Sequence, residues 1–305
     1  RLVVIGGGPV GLELGQAFRR LGAAVTVIEA AAPLGRDDPE CAAVVLETLR
    51  GEGVAIRAGQ SVTAVKPPEA VGGDIAVTVK TERGEETVAG THLLIAVGRK
   101  PNVDNLGLDR AGIAYGRSGI VVDKGLRTSN RCVYAIGDVA GGRQFTHVAN
   151  YHAGLVIRNA LFRLPVRVDD LAIPAVTFTD PELAQTGWTE AEAKRRGFAI
   201  NVLRWPYQEN DRAQAERQTY GHIKVITTRR GRVVGATIVG AHAGELIATW
   251  TLAVRKRLTV RELAALTVAY PTFAEIGKRA AVSAYSRSLT NPLMRRIIML
   301  LRRLG

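Results

Sequence analysis

Cysteine is almost absent from this 305-residue chain: Cys41 and Cys132 stand far apart, in no metal-binding or redox spacing. No disulfide framework or cysteine-rich zinc site is open to it, and ordinary packed or surface thiols suit a reducing, cytoplasmic compartment. Histidine is nearly as sparse, and His92, His147, His152, His222 and His242 form no ligand cluster, so no metal site is expected. No apolar run approaches the ~20 residues of a membrane-spanning helix. The longest candidate, Ile297 to Leu301, is cut by arginines on both sides, and no secretory signal is read.

Acidic residues are also in short supply, 28 against 41 Lys and Arg, which leaves a formal charge of +13, mostly arginine. Such an excess fits a nucleic-acid or anionic-membrane partner. The arginines are spread through helices and turns, and no recognition motif or aromatic-interleaved basic patch accompanies them. No nucleic-acid partner is therefore expected, and part of the charge would help to attract dinucleotide phosphates. A chain of this length exceeds one typical domain, so two or three are expected. A hydrophobic content of 47% fits a globular protein. Arg1 lacks an initiator methionine and abuts the first apolar run, so the chain reads as a fragment.

What is present is concentrated at the start. Leu2 to Ile5 reads as a buried parallel strand, and Gly6, Gly8 and Gly11 follow in G-x-G-x-x-G spacing before a helical stretch ending near Gly22. Gly6 permits the tight turn, Gly8 lets a pyrophosphate approach the backbone, and Gly11 with Gly15 lets the helix pack close to the sheet. Gly7, Pro9 and Val10 complete the phosphate-facing turn, whose free N–H groups lie at a helix N-terminus. A second strand, Ala24 to Ile28, ends at Glu29, where a carboxylate can accept from the adenosine ribose 2′-OH and repel a 2′-phosphate. NAD(H) is expected as cofactor, with NADP(H) disfavoured.

Further along, Asp37-Asp38-Pro39-Glu40 opens a helix, and 54–56 resumes the sheet. Alternation at 61–65 and 74–80 reads as a small antiparallel excursion, and the sheet returns at 92–97. A second unit starts at Gly119-Ile120-Val121-Val122-Asp123, and helical periodicity runs from about His147 to Phe162. Two strands, 221–227 and 232–240, meet at Arg229-Arg230-Gly231 between helices at 190–196 and 244–256, and Thr259 with Glu262 forms a capping box.

Three ordered motifs, Gly6 to Gly11, Ala96-Val97-Gly98-Arg99-Lys100-Pro101-Asn102 and Tyr134-Ala135-Ile136-Gly137-Asp138, make the chain resemble the flavin-dependent pyridine nucleotide–disulfide oxidoreductases from Arg1 to about Tyr285. Dihydrolipoamide dehydrogenase, glutathione reductase and mercuric reductase belong to that family. The resemblance implies an α/β fold with a Rossmann-like NAD-binding domain (1–116), the closing part of an FAD-binding domain (117–171), and a C-terminal α+β dimerisation domain (172–289), followed by a basic tail (290–305). It implies a cytoplasmic homodimer that passes hydride from NAD(P)H through FAD to a disulfide, a metal ion or another acceptor. A non-catalytic nucleotide-binding or membrane-associated module on the same fold is the alternative.

By the same resemblance, Asp138 at a strand end would accept from the ribityl chain of FAD, unless it is a turn or cap aspartate. Gln144-Phe145-Thr146-His147 would start a helix beneath the isoalloxazine, with the backbone N–H groups favoured over the His147 imidazole. Glu13 aligns with a glutamate that pairs a lysine near the flavin, or is a solvated helix carboxylate. Pro9 stands where many relatives carry a gating tyrosine. Tyr270, before Pro271, occupies the place of a general acid/base histidine oriented by a glutamate five positions on, here Glu275. A phenol with a pKa near 10 is a poor proton shuttle at neutral pH. Lipoamide or glutathione reduction is thereby disfavoured, and Tyr270 serves catalysis or packs an interface. Mercuric reductase shares the tyrosine, but its C-terminal vicinal cysteines are lacking here. The FAD pyrophosphate grip and the C-x-x-x-x-C pair that the family requires are not in this chain, so the fragment should bind NADH but bind FAD poorly and be inactive alone.

The tail, 292–304, reads as a basic amphipathic helix: Leu293, Ile297, Leu300, Leu301 and Leu304 share one face, Arg295, Arg296, Arg302 and Arg303 the other, and Met299 is the exception. It either packs on its own domain or a dimer partner, or makes weak contact with an anionic membrane surface.

Overall fold

The computed structural model describes residues 1–286 and 292–302. Two compact units result: residues 1–97 together with 174 onward, and residues 98–173.

In the first unit the apolar run becomes β1 (Leu2–Ile5), the start of a parallel sheet. It pairs with β2 (Val25–Glu29) on one side and β7 (His92–Ile95) on the other, with β3 (Ala55–Ala58) beyond β2. Strand alternation sends Leu2 and Val4 into one core and Val3 into another. The first core is closed by Leu12 of α1 (Pro9–Arg20) and by Cys41, Val45 and Leu49 of α2 (Pro39–Gly51). The second is closed by Val77, Val79 and Val88 from the antiparallel sheet β4 (Ser61–Lys66), β5 (Ile75–Thr81), β6 (Gly84–Gly90). Burial on both faces explains why β1 shows no polar alternation. The sequence pattern did not show β6, because only Val88 within it is a buried apolar side chain.

A second sheet in the same unit runs in the order β10 (Ala175–Thr177), β11 (Glu182–Gly187), β14 (Val233–Gly240), β13 (His222–Thr228), β12 (Ile200–Pro206), antiparallel throughout. The hairpin expected around Arg229-Arg230-Gly231 is its centre. Every residue of β14 is buried. Helix α6 (Ala243–Lys256) covers β11 and β14, with Ile247, Trp250 and Val254 inward. The short α4 (Glu190–Arg195) begins at a Thr189–Glu192 capping box. The short helices α5 (Asp211–Glu216) and α7 (Val260–Ala264), then α8 (Glu275–Ser283), complete the domain. Glu262 accepts from the Thr259 N–H at 2.6 Å, the expected cap of α7.

Leu183 and Val239 of this sheet enter the same apolar core as Cys41 and Val45, so α2 packs directly on it. An ionic cluster fixes that contact. Lys224 on β13, only 4% exposed, has its ammonium 2.8 Å from Asp38, 3.0 Å from Glu40 and 3.0 Å from Glu190. Arg204 grips Glu40 with two bonds of 2.7 and 2.8 Å, and Lys194 closes on Glu190 at 2.6 Å. Three cations thus meet three carboxylates. Asp38 also caps α2 by accepting from the Glu40 N–H, as its Asp-Pro-Glu start predicts. Helix α1 is tied similarly: buried Gln16 donates to the Asp180 carbonyl and accepts from the Asp180 N–H, at 2.7 and 2.8 Å.

The second unit is less regular. Val103, Leu108, Ile113, Ile120 and Ala135 share one core, which groups 98–116 with residues 117–173 rather than with the parallel sheet. At 119–123, the expected start of the second unit, no strand longer than the two-residue β9 (Gly119–Ile120) forms, and it pairs with β8 (Tyr115–Gly116). Residues 131–136 form no strand either; a strand needs a hydrogen-bonded neighbour, and Tyr134 has a single bridge, to Arg127. Helix α3 (Thr146–Phe162) is as expected. In the tail, α9 spans Pro292–Leu301; Arg303, Leu304 and the Leu293 side chain lie outside the described residues.

Removing one partner from the Lys224 cluster should be far costlier than removing a surface pair. Lys224→Ala leaves three carboxylates short of a cation and is expected to cost ~3–5 kcal/mol in urea unfolding, whereas Asp104→Ala, which breaks the exposed Lys100–Asp104 pair, should cost at most ~1 kcal/mol. The cluster also sets an acid limit. Hydrogen bonding from Arg204 holds Glu40 down at about 2, against an ordinary 4.5. Because its pKa is depressed on folding, its contribution is present above pH 4.5 and fades as pH falls toward 2. Thermal melts across that window should lose stability less steeply in Glu40→Gln.

Candidate functional site

The turn between β1 and α1 is built by steric exclusion. A Cβ on Gly6, whose φ is +111°, would lie 2.4 Å from the Ala96 carbonyl oxygen. One on Gly11 would lie 2.0 Å from the Gly6 oxygen. The chain passes this closely only without side chains there. Gly15, expected to share that role, has ordinary clearance: its Cβ would sit 3.5 Å from Val27. Gly8 differs from all of these. It is the N-cap of α1, in extended conformation, and a Cβ there would meet nothing within 4 Å. The space beside Gly8 is open, and no backbone strain requires a glycine at that position.

Pro9 occupies the first helical position, so the next N–H groups, those of Val10 and Gly11, have no intrahelical acceptor. Pro9 and Val10 are exposed. Glu29 ends β2 beside this turn and accepts from the Gly7 N–H at 2.7 Å and the Ala31 N–H at 2.9 Å. Each carboxylate oxygen keeps lone-pair capacity for a further donor. Glu29 is therefore a brace for the turn as well as a candidate ligand group, a role its position in the sequence did not reveal.

Glu13, half-buried on α1, accepts from the Phe178 N–H at 2.8 Å. This carboxylate is neither simply solvated nor paired with a lysine among the described residues; it joins α1 to the segment after β10.

Tyr270 precedes a cis proline and is 69% exposed. Its hydroxyl donates to Asp211 at 2.8 Å, at the start of α5. That hydrogen bond to a carboxylate, with further repulsion from Glu275, pushes the phenol pKa above its ordinary value. Glu275 sits half-buried in the first turn of α8. The sequence paired Tyr270 with Glu275 alone; the direct partner is Asp211, 59 residues away, with no local signal linking the two.

In the second unit, Gly98 and Gly137 both adopt positive φ, +122° and +66°. Asp138 lies in a 3-10 turn, Gly137–Ala140, not at a strand end as expected. Its side chain is exposed and makes no hydrogen bond or ion pair with the described residues. The Gly137 N–H donates to His152 Nδ1 at 3.2 Å. That bond leaves Nδ1 unprotonated, and burial lowers the His152 pKa. His152 had no role in the sequence reading; it holds the turn that presents Asp138. Phe145 is the N-cap of α3, Thr146 its first residue, and the Gln144 carbonyl accepts from Arg99 at 2.9 Å. The Phe145 and His147 rings stack at 5.0 Å and 11°, so the imidazole lies along the helix start rather than projecting alone.

The sequence-predicted residues thus fall into two groups. Gly6, Gly7, Gly8, Pro9, Val10, Gly11, Glu13, Glu29, Tyr270 and Glu275 belong to the first unit, and Gly98, Gly137, Asp138 and Gln144 to His147 belong to the second. Among the described residues there is no group of three or more His, Cys, Asp or Glu placed to hold a metal, and no helix long and apolar enough to cross a membrane.

Residues 1–153 match the sequence pattern of the pyridine nucleotide-disulphide oxidoreductases, and residues 173–281 match the dimerisation domain of the same proteins. Dihydrolipoyl dehydrogenase of Staphylococcus aureus is 36% identical over 287 residues, 93% of this chain and 60% of that protein. Mercuric reductase of Bacillus cereus is 37% identical over 294 residues, 95% of this chain and 46% of that protein. Among solved structures, LpdA from Mycobacterium tuberculosis superposes with a TM-score of 0.86 at 31% identity, covering 93% of this chain and 61% of its own. The HOCl-induced flavoprotein disulfide reductase RclA from Escherichia coli gives 0.82 at 30%, covering 92% and 64%. The chain spans roughly half to two thirds of the length of these relatives.

The Tyr270–Asp211 bond predicts a phenol that holds its proton beyond the ordinary range. Ultraviolet titration of the tyrosines should show a group ionising above pH 10 that is absent in Tyr270→Phe and moves down in Asp211→Asn. No downward movement in Asp211→Asn would remove Asp211 as the cause.

Proposed function

Given that this chain belongs to the pyridine nucleotide-disulphide oxidoreductase family, we propose that it forms the nicotinamide-nucleotide site, part of the flavin site and the interface domain of an FAD-dependent oxidoreductase. The bound cofactors would supply the redox chemistry, carrying two electrons from NAD(P)H by way of FAD to an acceptor. The observation that carries this reading is the open space at Gly8, at the head of a helix whose first N–H groups lack acceptors, in a turn closed everywhere else. A pyrophosphate fits that environment in size and charge.

The chain's own contributions come from its geometry. Gly8 and the first turn of α1 would hold the dinucleotide phosphates. Glu29, already fixed by two backbone donors, would accept from the ribose 2′-OH and repel a 2′-phosphate, which favours NADH over NADPH. In the second unit, exposed Asp138 would take a polyol hydroxyl of FAD, and the N-terminus of α3 would favour negative charge on the flavin ring. Tyr270, whose one proton is held by Asp211, would present its hydroxyl lone pairs at the acceptor site rather than act as a proton shuttle, since Asp211 and Glu275 both disfavour its ionisation. Thiol chemistry needing an imidazole at neutral pH is thereby disfavoured, and the acceptor is a metal ion, a less demanding disulfide or another two-electron oxidant. The domain from 173 to 281 supports a homodimer. Two free cysteines suit a cytoplasmic setting.

Paired substitutions test the phosphate site. Gly8→Ala should melt as the wild type does, because its Cβ meets nothing, yet weaken NADH binding about tenfold by crowding the pyrophosphate. Gly11→Ala should instead cost ~1–3 kcal/mol or more in stability. Unchanged NADH affinity in a well-folded Gly8→Ala protein, measured by calorimetry, overturns the assignment. For the nucleotide preference, Glu29→Gln is the better probe than Glu29→Ala, since it keeps an acceptor for the turn; the NADH-to-NADPH affinity ratio should fall toward unity.

A further inference from the structure

We propose that α9 lies on an anionic membrane surface, apolar face down, and attaches the protein there peripherally. Residues 276–305 contain seven Lys or Arg and no Asp or Glu. The dimerisation-domain match ends at residue 281, before α9 begins. At 100° per residue, Met294, Ile297, Ile298, Leu300 and Leu301 cover one side of the helix, and Arg295, Arg296 and Arg302 the other, where Met299 is the one apolar residue among them.

Those apolar residues are open to solvent: Met294 is 39% exposed, Ile297 41%, Ile298 43%, Leu300 61% and Leu301 58%. A continuous apolar strip rimmed by charge marks an interaction surface. A helix of ten residues is also marginal alone in water and gains most of its stability from the surface it covers.

Charge decides what that surface is. A second copy of α9 placed face to face would bring arginine rims together, with no acidic residue on either segment to compensate. An anionic lipid surface offers both of the things α9 lacks, an apolar layer and negative charge. At ~1.5 Å per residue the helix is about 15 Å long, half the thickness of a bilayer core, so it lies in the interface rather than crossing it. Basic side chains then stay at headgroup level while the apolar side enters the acyl boundary.

Co-sedimentation of the full chain with sucrose-loaded vesicles tests this. Vesicles of equal parts phosphatidylglycerol and phosphatidylcholine should pellet the protein, and phosphatidylcholine vesicles should not. Arg295→Glu with Arg296→Glu should cut partitioning roughly tenfold or more, as each basic residue contributes several-fold. Ile297→Asn with Leu301→Asn should reduce it too, while both variants keep wild-type NADH affinity and melting. Added salt should release the bound protein. Failure to pellet, equal pelleting with both vesicle types, or a fall in the light-scattering mass of the arginine variant overturns the proposal, the last by making α9 a contact between copies.

Discussion

An ammonium group with almost no access to water persists only where opposite charge surrounds it, and Lys224 satisfies that condition with Asp38, Glu40 and Glu190. The desolvation cost of these ions is large and is offset only when every partner is in place. Asp38 and Glu40 come from the start of α2, Lys224 and Arg204 from neighbouring strands of the antiparallel sheet, and Glu190 from α4. The arrangement therefore fixes where α2 begins, which face of β13 meets it, and how Cys41 and Val45 join Leu183 and Val239 in one core. Burial also explains two silent groups nearby: Cys41 is a thiol whose pKa is driven up, and His222, 3.4 Å from it, has its pKa driven down.

The candidate site rests on that rigidity, since a turn that works by exclusion needs fixed surroundings. Gly6 and Gly11 carry no side chain because backbone oxygens already fill the space, whereas Gly8 carries none although the space is empty. The contrast separates glycines that the fold requires, Gly6 and Gly11, from one that it does not, Gly8. Glu29 and Glu13 show the same economy of groups. Each is positioned where a family role is expected, and each also holds backbone N–H groups of its own chain. Substituting either one changes structure as well as chemistry, which matters when activity is read from such variants.

Much of the first unit was legible from local pattern. A doubly buried strand, a glycine triplet, a proline-started helix and an Asp-Pro-Glu cap each carry their signal within a few residues, and all were found. The second unit was harder. The stretch 119–123 and the stretch 131–136 have strand-like composition, but neither finds the partner strands that would extend it. Composition reports what a segment can become, while hydrogen-bonding partners decide what it is. Asp138 follows that rule: its exposure and its 3-10 turn depend on His152, a helix away in sequence, accepting from Gly137.

By itself the sequence determined the parallel βαβ start, the place of the glycine turn between β1 and α1, the hairpin at 229–231, the helix at 146–162 and the amphipathic order of the tail, because each is written in residue spacing at about 2 or 3.6 per repeat or in local turn chemistry. Only the tertiary structure decided that the Tyr270 hydroxyl donates to Asp211, that Glu13 answers Phe178, and that Lys224 gathers carboxylates from two helices onto one strand. Those contacts join residues separated by 34 to 186 positions. Their existence is a matter of where strands and helices are packed, and charge meeting charge across such distances leaves no periodic mark in the chain.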